Sequence, residues 1–585
     1  MNVNSTSGFT RNSFWLGEPN TGMFSWLYLP SEQNRQPLAI VLCPPLGHEY
    51  THSHRCYRHL AERLALAGIT VTRFDYIGTG DSTGTLLDAG LVTQWQANIE
   101  QQMAYLRALE HVNYCGAFGV RLGASLALAL STRVRSDFLV MWQPVVSGKR
   151  YVRELKAVSR MAANSNSNAD FYEAGGFPIS HELEADLKAL DLTAANTFKL
   201  SKLLFLQNDA NDTTFTPLLD SLQAQLDLSI VAARGYNELM AEPQFTEVPE
   251  LTLSHVRQWL LELVHRLPEQ TLSITPDTVL RPQTINKQTE FVERELCYGG
   301  IFALACQPTA KTRAVFVLAN SGSVHHVGPN RLYVEMSRAL AQQGIMTVRM
   351  DLSNLGDSAH IGSEQENVTY PQTAIDDTLT FIRALKTEFS ELPIMLGGLC
   401  SGAHTAFHAA KVLKTELKKV VIINPLTFYW QEGMSLDIPQ SYEVNKEAKH
   451  YERSLKSKDS WKKLLTGKVN YLYLLSFIAK LTVKYLAVST KSVAEKCGLL
   501  KKAPLAKDLL RLVDSGLEVD FVFSSKDPGY TILQEEGGYT VKKLIRNKAV
   551  GITIIAEADH TFSKVAYRND LANALNDILS TNSIP

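Results

Sequence analysis

The chain uses one structural plan twice. In its first half an apolar run, Leu38 to Cys43, leads into Pro44-Pro45-Leu46-Gly47. A helix-like segment follows from Cys56 to Ala67, and a second apolar run, Ile69 to Phe74, ends at Asp75. In its second half Ala314 to Ala319 leads into Asn320-Ser321-Gly322, a helix-like segment runs from Leu332 to Gln342, and Ile345 to Met350 ends at Asp351. Pro44 and Asp75, like Asn320 and Asp351, stand 31 residues apart, and the loops that follow close on Gly80-Asp81-Ser82 and Gly356-Asp357-Ser358. Spacing kept this closely marks a duplication. Runs of Val, Ile, Leu and Phe alternating with amphipathic helices predict an α/β fold, each half a mostly parallel sheet covered by helices.

The 585 residues exceed one ordinary core. We place one domain at 1–266 and a second at 289–585, joined by a polar linker at 267–288. Each half carries an inserted helical segment, about 148–192 and about 429–507, where a lid would shape a pocket and exclude water. A net charge of −1 gives no global pull toward nucleic acid. The seven cysteines include no CxxC pair, which argues against a zinc site or a disulfide framework and fits a reducing cytoplasm. Met1 to Gly22 reads as a polar tail without a signal-peptide core. The most apolar long stretch, Val469 to Val488, is interrupted by Lys480 and Lys484, so no integral membrane segment is expected.

Each half next reaches a strand followed by a glycine turn: Gly119-Val120-Arg121-Leu122-Gly123 and Gly398-Leu399-Cys400-Ser401-Gly402. Strand, tight turn and helix form the context of a nucleophile elbow, in which the apex side chain stands at a helix N-terminus. In the second half the apex is Cys400. A glycine-flanked cysteine alone is a weak signal; the ordered partners strengthen it. Asp527 follows the strand Val519 to Phe523, and His560 follows the strand Ile552 to Ile555. His560 would take the thiol proton and Asp527 would hold the ring. Backbone N–H groups of Ser401, Asn320 and Ser321 would bind the oxyanion. His325 and His326 fit either a pocket lining or an exposed loop. Asp351 and Asp357 read as loop-fixing residues.

The first half lacks this chemistry. Arg121 keeps its proton and is no nucleophile. Asp209 and Asp212 follow a strand, but Arg234-Gly235-Tyr236-Asn237 stands where a base belongs. Two roles fit Arg121: binding an anion in a vestigial pocket, or pairing with an internal acid such as Asp75 or Asp209. His48, His52 and His54 have only loose metal-like spacing, and no metal or cofactor is expected.

Both halves resemble the α/β-hydrolase superfamily. Closer still, they resemble two hydrolase types associated with exosortase and exopolysaccharide gene clusters of Gram-negative bacteria. The first half is similar to the arginine-elbow type through Phe74-Asp75-Tyr76, Gly80-Asp81-Ser82, Gly119 to Ala124 and Gly175-Gly176-Phe177-Pro178. The second is similar to the cysteine-elbow type through Asn320-Ser321-Gly322, Val327 to Val334, Gly398 to Gly402 and Ile423 to Trp430. The resemblance implies hydrolase or acyl-transfer chemistry and supplies no substrate.

Three functions fit: a hydrolase or thioesterase working through an acyl-cysteine, an acyltransferase with the same triad and a non-water acceptor, and a non-catalytic scaffold. Between Glu443 and Lys507, 15 Lys or Arg oppose 5 acids. That imbalance reads as a solvated helical face or as a dock for an anionic partner: a carrier protein, a coenzyme A ester or an acidic polysaccharide. A membrane-surface helix near Tyr471 to Tyr485 is a further reading. The oligomeric state stays open.

Overall fold

A computed structural model describes residues 8–18, 21–161, 170–194, 197–209, 211–266, 280–360, 365–434 and 501–580. Residues 267–279 of the linker and 435–500 of the basic segment lie outside these, as does Cys497. The architecture comprises two mostly parallel sheets of nine strands flanked by helices, as the alternating apolar runs predict. By contacts the chain divides into two compact units: Met1–Pro371 with Thr380–Leu392 and Phe562–Pro585, and Gln372–Leu379 with Pro393–Thr561. This division cuts across the repeat boundary.

The first unit holds the whole first sheet. Six parallel strands run in the order Asp227–Ala232, Leu200–Gln207, Ser136–Trp142, Tyr114–Val120, Leu38–Cys43 and Thr70–Phe74. Every residue of Leu38–Cys43 and Tyr114–Val120 is buried. Ala39, Val41 and Cys43 enter one apolar cluster, while Leu38, Ile40 and Leu42 enter another. Both faces are therefore covered, and an unbroken apolar run results instead of alternation. Each fully buried aliphatic side chain contributes about 1.5–3 kcal/mol.

The structure corrects the reading of the tail and adds two short strands within the linker. Phe9–Leu16 and Met23–Pro30 form an antiparallel hairpin that continues the sheet through Thr70–Phe74. Phe14, Trp15 and Leu16 are buried there, which the polar flanking residues concealed. Within the linker, Pro282–Gln283 pairs with the first hairpin strand, and Ile285–Lys287 pairs with Phe291–Tyr298. The first insertion is not wholly helical: a hairpin, Phe171–Ala174 with Phe177–Ser180, separates the helices Gly148–Met161 and His181–Ala189.

The two loops that begin at Asp75 and Asp351 are built alike. Asp75 accepts the Asp81 amide at 2.8 Å and Asp351 accepts the Asp357 amide at 2.8 Å. Ser82 donates to the Asp75 carbonyl, and Ser358 to the Asp351 carbonyl. A Cβ at Gly80 or Gly356 would lie 2.0 or 2.1 Å from the aspartate oxygen, so both positions require glycine.

Across the two halves, within this unit, the loops exchange charges. Arg73 pairs with Asp357, and Arg349 with Asp81 at 2.5 Å. His325 and His326 are both buried, at 4% and 1% exposure, which removes the exposed-loop reading. His326 lies between Asp351 (2.7 Å) and Asp81 (2.8 Å). Burial opposes its charged form, but Asp351 and Asp81 outweigh it and push the ring up to about 10. The folded protein thus keeps a proton that an unfolded histidine, near pKa ~6.5, releases. This contribution is fully present below pH ~6.5 and is lost as pH rises through about 10. His326→Gln is expected to lower urea-unfolding stability most near pH ~6 and least near pH ~10, where the two proteins converge. A gap independent of pH would count against a charged ring.

Candidate active site

Within the second unit the strand Ile394–Leu399 runs into the helix Ser401–Leu413, with Cys400 at the junction. Cys400 has φ 59° and ψ −116°, and Arg121 at the first-half junction has φ 52° and ψ −122°. Both apices thus hold the same unfavourable backbone. It is over-determined by packing: a Cβ on Gly398 would lie 2.4 Å from the Gly402 carbonyl carbon. The Cys400 amide donates to the Ile423 carbonyl at 3.0 Å, and the equivalent Arg121 amide donates to Trp142 at 3.1 Å. The Cys400 side chain is half-buried.

The structure brings His560 and Asp527 together. His560 Nδ1 lies 2.5 Å from Asp527 Oδ2, and the other carboxylate oxygen accepts the Gly529 amide at 2.7 Å. The Asp527 side chain is fully buried. Burial alone would lower His560; Cys400 and Asp527 reverse this and hold the imidazole well above its ordinary value. Nε2 of His560, on the side of the ring away from Asp527, is buried without a hydrogen-bond partner. Cys400, Asp527 and His560 all lie in the second unit.

Two positioning residues escaped sequence reasoning. Asn424, at φ 43°, ends the strand Lys419–Ile423. Its Nδ2 donates to Ser524 Oγ and to the His560 carbonyl, both at 2.7 Å, while its Oδ1 accepts the Ser524 amide at 2.8 Å. Ser524 Oγ donates in turn to the Asp559 carbonyl. Asn424 thereby ties the acid strand to the histidine loop, and an asparagine at a strand end was the available signal. Asn424→Ala is expected to slow acylation roughly 10- to 100-fold with little change in KM, as read by single-turnover kinetics. His404, one turn beyond Cys400, is half-buried. Burial, His408 and Lys411 push it down to about 3, so it stays neutral near pH ~7.

In the first half the Arg121 guanidinium donates to Glu49 (2.7 Å) and Glu154 (2.6 Å) and lies over the Tyr151 ring. Its acids are thus Glu49 and Glu154, not Asp75 or Asp209. Asp209 and Asp212 accept local turn amides. Asn320 and Ser321, in the first unit, are buried. Among the described residues, His326, Asp351 and Asp357 have ligand atoms near enough to share a cation. Both ring nitrogens and the Asp357 carboxylate are already engaged by protein partners, so the chemistry is that of an ion-pair network. No helix among the described residues is long and apolar enough to cross a membrane.

Residues 37–174 and 310–457 match the family described as serine aminopeptidase, S33. No curated protein matches the sequence. Solved structures that resemble the chain include Est1E from Butyrivibrio proteoclasticus, with 14% identity over 43% of this chain and 99% of that one, TM-score 0.32. An α/β serine hydrolase without a lid from Xanthomonas campestris is 17% identical over 45% of this chain and 97% of its own, TM-score 0.28. Superpositions this shallow carry no inference of their own. The family name refers to serine, whereas the two apices here are arginine and cysteine. The match in each half, together with two helix-flanked, mostly parallel sheets, assigns the chain to the α/β-hydrolase fold class.

Proposed function

We propose that the protein is a cysteine hydrolase of acyl esters or thioesters, working through an acyl-cysteine. The observation that carries this reading is the His560–Asp527 contact at 2.5 Å, with Cys400 raising the same imidazole. In the first step the Cys400 sulfur attacks the acyl carbonyl and forms a C–S bond. The bond to the leaving oxygen or sulfur breaks, and His560 gives that atom its proton. Water then attacks the thioester and passes a proton to His560; the acid departs and the thiolate returns. Asp527 orients the ring throughout. On chain order the backbone amides of Ser401, Asn320 and Ser321 are assigned to the oxyanion.

The charge of Glu443–Lys507, 15 cations against 5 acids, favours an anionic donor or acceptor such as a carrier-protein or coenzyme A thioester, which keeps acyl transfer as the second reading. The cysteine and arginine elbows also support placing the halves with the exosortase- and exopolysaccharide-associated types. For Arg121, pairing with two carboxylates favours a packing role over anion binding. The test is intact-mass spectrometry with a panel of acyl thioesters and activated esters. An adduct of acyl mass that decays in water supports the hydrolase, and one discharged only by an added amine or alcohol supports the transferase. No adduct from any donor, with ordinary alkylation of Cys400, leaves the scaffold.

A further inference from the structure

We propose that the first half acts as a built-in partner subunit whose Asp81 is a positioning residue for the loop 320–326 of the second half. The proposal rests on the reading that this loop supplies oxyanion donors. Its starting point is a quasi-symmetric contact within the first unit. Arg73 and Arg349 each stand two residues before their loop aspartate, Asp75 or Asp351, and Asp81 and Asp357 each stand six after it. Arg73 reaches across to Asp357, and Arg349 pairs with Asp81. Around them Trp26 packs on Phe302 with ring centroids 5.0 Å apart, and Phe302 and Leu304 join the first half's own apolar cluster. The same patch contributed from both sides is the signature of an isologous interface, here closed within one chain.

The exchange is not equal in its consequences. Asp351 Oδ1 accepts Asn320 Nδ2 at 2.8 Å and the His326 amide at 2.7 Å, so one carboxylate ties both ends of 320–326. His326 Nδ1 meets the other Asp351 oxygen, and its Nε2 reaches Asp81 of the first half at 2.8 Å. Asn320, His326, Asp351, Asp81 and Arg349 are all at most 1% exposed. In such surroundings an unpartnered charge is costly, which makes the arrangement stiff. The first half has no matching device. Pro44, in the place of Asn320, offers no side-chain donor. Tyr50, in the place of His326, donates its hydroxyl to Asp75 at 2.7 Å and has no second polar atom to present to Asp357. His54 of the first half does reach Asp357, at 3.3 Å, but from within the helix His48–Leu66; the half that lacks a nucleophile therefore braces the half that has one through His326, which bridges both loop aspartates.

Two symmetric variants test this, each removing one buried carboxylate charge from the same interface. Asp81→Asn and Asp357→Asn are compared by thermal unfolding, by hydrogen–deuterium exchange of the peptide covering 320–326, and by turnover of the ester that acylates the wild-type protein. Both variants are expected to lose thermal stability. Only Asp81→Asn is expected to exchange faster in 320–326 and to lose kcat, on the order of 10-fold, with KM little changed. That is less than the ~10²–10³-fold cost of deleting an oxyanion donor outright. Equal effects of the two variants on exchange and kcat overturn the proposal, as does unchanged exchange in Asp81→Asn. Faster exchange confined to Asp81→Asn in a protein that acylates no donor retains the bracing and overturns the catalytic reading instead.

Discussion

Cys400→Ala is expected to abolish the acyl adduct and to reduce ester or thioester turnover by at least ~10³-fold. The effect should be chemical rather than structural. Position 400 sits at φ 59° and ψ −116°, a backbone whose cost comes from the Cβ, and alanine keeps that atom. The hydrogen bonds that hold the apex are made by the main chain, from the Cys400 amide to Ile423 and from Ala403 to the Cys400 carbonyl. The melting temperature should therefore stay near that of the wild type while the adduct disappears. His560 should respond as well: Cys400 is the leading group that raises its imidazole against burial, so the ring should titrate lower in the variant. An adduct that persists in Cys400→Ala would assign the nucleophile to another side chain. A large loss of stability would show that the sulfur serves packing.

Arg331→Ala is expected to give the largest stability loss of any single substitution at the contact between the halves, roughly 3–5 kcal/mol. Arg331 is 4% exposed. Its guanidinium enters the first-half loop and donates to four carbonyls: Nε to Gly80 at 2.8 Å, one terminal nitrogen to Gly78 and Gly84 at 3.0 and 2.7 Å, and the other to Ser82 at 2.5 Å. Burial and the neighbouring Arg338 push it down to about 10, so it remains charged near pH ~7. Removal takes the guanidinium from four acceptors that the glycine-rich backbone turns inward, of which Ser82 alone keeps a second guanidinium, that of Arg338 at 3.2 Å, and losing the acceptors' partner costs more than the net worth of the bonds. Lysine should recover little, because one ammonium cannot span a planar fork of four carbonyls. Urea and thermal unfolding of Arg331→Ala and Arg331→Lys measure both effects. Losses below ~1 kcal/mol would show that water replaces the guanidinium.

Much of this arrangement can be read from local chemistry. Uninterrupted apolar runs such as Leu38 to Cys43 demand a sheet covered on both faces. Glycine around Cys400 demands a turn that packs backbone on backbone. The order of Cys400, Asp527 and His560, each just beyond a strand, suffices to nominate the site. Local chemistry was a poor guide where one short segment served two ends. The hairpin strand Phe9–Leu16 looked like a tail because four polar residues, Thr10 to Ser13, separate Phe9 from Phe14-Trp15-Leu16, and the linker hid two short strands because edge pairing needs only backbone groups.

Asn424, Asp81 and His326 belong to a different class. His326 is one of two adjacent histidines in a loop, and nothing nearby marks it as charged. Its second carboxylate lies 245 positions away in the chain, and Arg121 meets Glu154 only because a helix of the insertion folds over the elbow. Periodicity, turn residues and motif spacing act over a few residues, and they were enough for the strands and for the glycine turns at Arg121 and Cys400. Which acid faces which base is a property of packing between distant segments, where desolvation makes each buried charge depend on a single partner. Only the folded chain could therefore show that the first half is wired, through Asp81 and His326, into the loop of the other.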